Sequence, residues 1–118
     1  MNGYSYLNEK EQKFTKERRV NKRYRYKNKF KVESINSKSI DLEVQGIDIS
    51  ISGIGFISEV NLKINDILEI AFSYNKVTIP VIIIIEHVNL YDSGYFVGCR
   101  FAALQDSYRE IMKEMMNS

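Results

Sequence analysis

The sequence predicts an all-β domain, an antiparallel barrel or sandwich of about six strands followed by a C-terminal helix. Apolar residues alternate with polar ones in short runs separated by turn-forming Asn, Ser, Asp and Gly. No stretch with helical spacing is long enough to cross over between two strands, which excludes a parallel sheet. Beyond residue 105 the apolar spacing becomes helical. At 118 residues the chain has room for one core, since folding at this size buries roughly 65% of the unfolded surface. Its 44% hydrophobic and 27% charged residues are ordinary for a globular domain and exclude general disorder.

Near the start, Asn8 with Glu11 three positions later resembles a helix cap, with Leu7 and Phe14 on one face of a short helix. Residues 16–26 are too basic for a core element and read as an extended arm. Alternation begins at Phe30 and Val32 and resumes at Ile40, Leu42 and Val44, with a hairpin connection at Asn36, Ser37 and Lys38. After Gly46 the apolar set moves from even to odd positions, Ile47 and Ile49. A bulge or bend at the glycine accommodates that switch and re-aims the side chains that follow. Gly53 and Gly55 bracket a turn into a strand over residues 55–58. Residues 61–66 connect to a strand over 67–72, and Tyr74, Asn75 and Lys76 form a hairpin into a long strand over 77–88. Its apolar run from Val81 to Ile85 reads as covered on both faces, and Pro80 must lie where no ladder donor is needed. A turn over 89–94 and a last strand over 95–101 follow. In residues 106–116, Tyr108, Ile111, Met112 and Met115 share the helix face that packs on the barrel end.

Several function classes are excluded or disfavoured. The lone Cys99 cannot form an internal disulfide and, between Gly98 and Phe101, reads as a buried strand residue. The single histidine, His87, reads as a structural residue at a strand end rather than a catalytic base. No cluster has metal-ligand spacing and no phosphate loop is present, so an enzyme, a metal site and a cofactor are not expected. No apolar segment follows Met1 and none reaches the roughly 20 residues of a membrane span, so a cytoplasmic protein is expected. The net charge of +2 conceals an asymmetry: residues 1–31 carry +8, the remainder −6. The basic arm suits an anionic ligand, whereas the rest does not resemble a nucleic-acid platform.

Two constellations carry chemistry. In the arm, Arg19 and Arg23 stand four apart, with Arg18 ahead and Arg25 after. Guanidinium groups hold phosphate oxygens or the O6/N7 edge of guanine with paired donors. In the second, Asp48 can accept from guanine N1–H and N2–H₂, Ser50 can bond a phosphate or base, and Gly53 permits a tight turn. Alone, the first is common on solvated faces and the second reads more readily as an ordinary Asp/Ser/Gly turn.

In this order the pair resembles the signature of the PilZ domain family, an RxxxR arm at Arg19 and Arg23 followed by (D/N)xSxxG at Asp48, Ser50 and Gly53. The segment from Gly94 to Phe101, with Gly98, is similar to the family's last barrel strand, and Asn65-Asp66 replaces a usual turn glycine. The resemblance implies a six-stranded barrel over residues 18–118 behind an extension over 1–17. It also implies a receptor for cyclic di-GMP, held by Arg18, Arg19, Arg23, Asp48, Ser50, Gly53 and Gly98, that signals to an unidentified protein through closure of the arm. Arg18 ahead of the motif implies room for a stacked pair of ligands. The alternative is a nucleic-acid-binding barrel in which the arm follows phosphates and Tyr24 or Tyr26 stacks on bases.

Overall fold

The computed structural model describes residues 22–117. Arg18, Arg19, the expected helix around Leu7 and Phe14 and most of the basic arm lie outside the described residues. The strands are β1 (Tyr24–Arg25), β2 (Lys29–Ile35), β3 (Lys38–Ile49), β4 (Gly53–Ser58), β5 (Ile67–Tyr74), β6 (Val77–Tyr91) and β7 (Gly94–Ala103), followed by helix α1 (Asp106–Asn117). All pairings are antiparallel, in the order β1-β3-β2-β5-β6-β7-β4, and a β3–β4 pairing closes the six strands β2 to β7 into a barrel.

Local chemistry explains the hairpins. Asn36 and Ser37 have φ of 51° and 73°, and Asn75 and Lys76 have φ of 49° and 70°. Two-residue turns with both central residues at positive φ match the twist of the flanking strands, and Asn tolerates that conformation well. Asn65, at φ 76°, takes the left-handed position expected of the missing glycine. The Asp66 carboxylate then accepts the Lys63 N–H at 2.9 Å, fixing the turn.

The inward side chains form one core. Val32, Ile54, Phe56, Leu68, Ile70, Phe72, Ile83, Ile85 and Val97 are essentially inaccessible, and the Phe30 and Phe56 rings meet edge to face at 5.5 Å. Met112 and Met116 of α1 reach this core, so the helix covers the barrel end as expected, with Tyr108 packed alongside. The Tyr24 hydroxyl donates to the Met116 carbonyl at 2.8 Å, satisfying one of the acceptors a helix C-terminus leaves open.

Several expectations change. Ile40 and Ile47 are exposed. β4 begins to pair with β3 only at Gln45, so Ile40 sits on an open section of strand. Ile47 is the extra residue of a bulge between Gly46 and Asp48, and Ile49 alone takes the core position. In β6, Ile79, Val81, Ile83 and Ile85 are buried, while Ile82 and Ile84 are half-buried on the outer face, so that strand is fully covered on one side only. Pro80 faces Ala71 of β5, whereas pairing with β7 starts at Ile82, so its missing N–H can point to an open side. β1 was not anticipated: the arm ends by pairing Tyr24 with Ile49 and Arg25 with Asp48.

Candidate functional site

The charged groups converge outside the barrel, where β1 lies against the end of β3. The bulge after Gly46 moves Asp48 from the inward to the outward phase. β1 brings Arg23 across it, and the Arg23 Nη1 donates to Asp48 Oδ1 at 2.9 Å with both side chains about a third exposed. At such exposure the pair contributes about 0–1 kcal/mol to stability, so its value is placement rather than strength. Arg25, opposite Asp48 in the register, and Lys22, 5.6 Å over the Tyr24 ring, add exposed cations to this rim.

Downstream of Asp48 the chain turns sharply. The Ser50 N–H donates to the Gly53 carbonyl at 2.9 Å, and the Ser50 hydroxyl accepts the Ser52 N–H at 3.1 Å. Ser50 is buried, so its hydroxyl is turned into the loop. A Cβ on Gly53 would lie 2.1 Å from the Cys99 carbonyl oxygen, which ties the glycine to close contact with β7. Arg109 of α1 reaches the Ile51 carbonyl at 3.4 Å. Gly98 lies two strands from Asp48, and the imidazole of His87 covers the place of its missing side chain. Thus Arg23 and Asp48 are brought together, Ser50 and Gly53 form the adjoining turn, and Gly98 lies farther along the same outer face.

His87, which the sequence reads as a structural residue at a strand end, lies on this outer face. It is exposed and stacks on Phe96, with ring centroids 5.8 Å apart. A signal existed: the core-facing set switches from odd Ile83 and Ile85 to even Val88, which is partly buried against the core, a change of phase like the one that marks Gly46.

Elsewhere, a groove of about 450 Å³ is lined by Glu33, Glu69, Pro80, Ile82, Ala103 and Gln105. Its acidic rim suits a phosphate-bearing ligand poorly. Among the described residues no group of three or more His, Cys, Asp or Glu could hold a metal ion, and no helix is long and apolar enough to cross a membrane.

The molecule is thus a small closed antiparallel barrel whose outer rim, rather than its interior, carries the converging charged groups. The chain belongs to the PilZ domain family, which matches residues 17–118. Its structure is similar to the PilZ domain of YcgR from Escherichia coli solved with c-di-GMP, at TM-score 0.67 and 11% identity, covering 83% of this chain and 88% of that one. It is also similar to the Bacillus subtilis inhibitor of motility MotI/DgrA, at TM-score 0.59 and 10% identity, over 83% of this chain and 51% of that one. The K. pneumonia MrkH–c-di-GMP complex matches at TM-score 0.59 and 13% identity, over 81% of this chain and 49% of that one. The chain therefore spans about half the length of these last two proteins. No curated protein matches it in sequence.

Proposed function

We propose that the chain is a cytoplasmic receptor for cyclic di-GMP that binds the dinucleotide on its outer rim and passes its level to a protein partner without catalysing a reaction. The observation that carries this reading is the Arg23–Asp48 pair at 2.9 Å, which sets a phosphate- and guanine-directed guanidinium beside a carboxylate able to read a guanine edge. Two similar structures, the E. coli YcgR domain and MrkH, were solved with c-di-GMP, which supports the choice of ligand. In this reading Ser50 and Gly53 hold the turn that presents Asp48, Arg18 and Arg19 complete the cationic side, and Gly98 belongs to the floor. Net negative charge beyond residue 31 weighs against the nucleic-acid alternative.

Calorimetry with cyclic di-GMP, GMP and a short DNA tests the assignment. Cyclic di-GMP should bind at micromolar Kd or tighter, about 8 kcal/mol. Arg23→Ala and Asp48→Ala should each weaken binding at least tenfold, and DNA should bind less well. Saturation at two ligands per chain, falling to one in Arg18→Leu, is expected if a stacked pair is bound. Amide exchange across residues 16–25 should slow on addition if the arm closes. A parent protein that binds DNA but no cyclic di-GMP overturns the assignment.

A further inference from the structure

The strand row that carries Asp48 continues across the barrel wall. Asp48 stands opposite Gly55, Gly55 opposite Gly98, and Gly98 opposite His87. Directly opposed residues in antiparallel strands share a face. Because Ile54, Phe56, Val97 and Cys99 are buried, the shared face is the outer one.

A bulge stands at each end of this row. On β3 the extra residue is Ile47, and on β6 a second register shift falls between Ile85 and His87, with Glu86 as the extra residue. Without it, the inward phase of Ile83 and Ile85 would carry His87 into the core. With it, Val88 packs on the core and His87 is exposed. Bulges are over-represented beside functional sites because they re-aim side chains, and here two of them re-aim the two ends of a single row.

Between those ends the floor has no side chains of its own. A Cβ on Gly98 would lie 2.2 Å from Cε1 and Nε2 of His87, so only glycine lets the imidazole settle there. Phe96 stacks on that ring at 26° and extends toward Gly55, where a Cβ would lie 3.1 Å from its Cζ. Among the described residues the imidazole nitrogens have no hydrogen-bond or ion-pair partner. Its exposed imidazole is therefore seated by Gly98 and Phe96 rather than by burial or by a hydrogen bond to any described residue.

We propose that His87 and Phe96 form a second recognition element of the same site, a ring face on which one purine base stacks while Arg23 and Asp48 hold the hydrogen-bonding edge of the other. The proposal rests on the reading of the chain as a cyclic di-GMP receptor. Three strand spacings, roughly 14 Å, separate the two ends. A ligand with two bases can engage both ends, and a mononucleotide only one. The row therefore discriminates for a dinucleotide by geometry.

The test uses the full chain and cyclic di-GMP, with calorimetry and proton NMR on the parent, His87→Ala, His87→Phe and Asp48→Ala. Loss of a stacked base weakens binding on the order of tenfold, so His87→Ala should show that loss. His87→Phe, which keeps a ring face, should bind within about twofold of the parent. A guanine H8 resonance should move upfield on binding to the parent and less in His87→Ala. His87→Ala binding as tightly as the parent, while Asp48→Ala loses binding, overturns the stacking element and leaves the receptor assignment in place. His87→Phe binding as weakly as His87→Ala also overturns it, because the imidazole nitrogens would then be what the ligand needs. A parent that binds no cyclic di-GMP overturns both.

Discussion

Burial pushes the Cys99 thiol up to about 12, desolvation being the larger cause and the charge of Glu86 the smaller. The folded chain therefore holds this proton more tightly than the unfolded chain does. The resulting stability is fully present below the ordinary thiol value of 9.0 and is lost as pH rises toward 12. Burial raises Tyr26 as well, although its hydroxyl donates to the Ser73 carbonyl at 2.6 Å, and this adds to the same alkaline slope. The thermal midpoint should thus fall as pH is raised above about 9, and Cys99→Ala should fall less steeply. In the native protein the thiol should resist disulfide reagents at neutral pH and react only on unfolding. An equal alkaline slope in the alanine variant would place the effect elsewhere.

At the scale of elements, α1 is held from two sides, by Met112 in the core and by the Tyr24 hydroxyl at its last turn. Met112→Ala should cost about 2–5 kcal/mol in denaturant unfolding. Tyr24→Phe should cost only about 0.5–1.5 kcal/mol, since it removes one hydrogen bond at a partly exposed end. Most elements were legible in the sequence because alternation and turn residues are local: the Asn36 and Asn75 hairpins, the phase change at Gly46 and the stripe on α1 all follow from near neighbours. What escaped was set by distant pairing. Ile47 looks like a core residue until the partner strand shows it to be the spare residue of a bulge. The two-residue β1 has no pattern of its own and exists only because β3 offers an edge. Arg23 and Asp48 are 25 residues apart, so spacing alone could not join them and only the family resemblance did. His87 carried a readable change of phase, yet its exposure followed from the register with β7.

For the whole molecule, the decisive property is the separation of charge, +8 in residues 1–31 against −6 beyond. An anionic ligand is drawn to the rim where Lys22, Arg23 and Arg25 meet the barrel, while the acidic groove beside Glu33 and Glu69 repels it. Screening shortens the reach of these cations from roughly 10 Å at 0.1 M salt to 3 Å at 1 M. Affinity for cyclic di-GMP should accordingly fall with added salt, and the dependence should be shallower in Arg23→Ala. A salt dependence identical in parent and variant would show that Arg23 does not meet the ligand's charge.

The closed ring also dictates an order of events in folding. Four of its pairings, β2–β3, β3–β4, β5–β6 and β6–β7, join strands adjacent in the chain and can form as local hairpins or simple connections. The other two, β2–β5 and β4–β7, must bring together segments dozens of residues apart, and loop closure has to precede any reward from them. Asp48 lies within the consecutive strands β2 to β4 and His87 within β5 to β7, and the β4–β7 seam, where Gly55 meets Gly98, joins their row. Juxtaposition of Asp48 and His87 on one face therefore waits on a non-local pairing, in a search expected to take milliseconds to seconds, and a chain with that seam open keeps the two ends of the row apart.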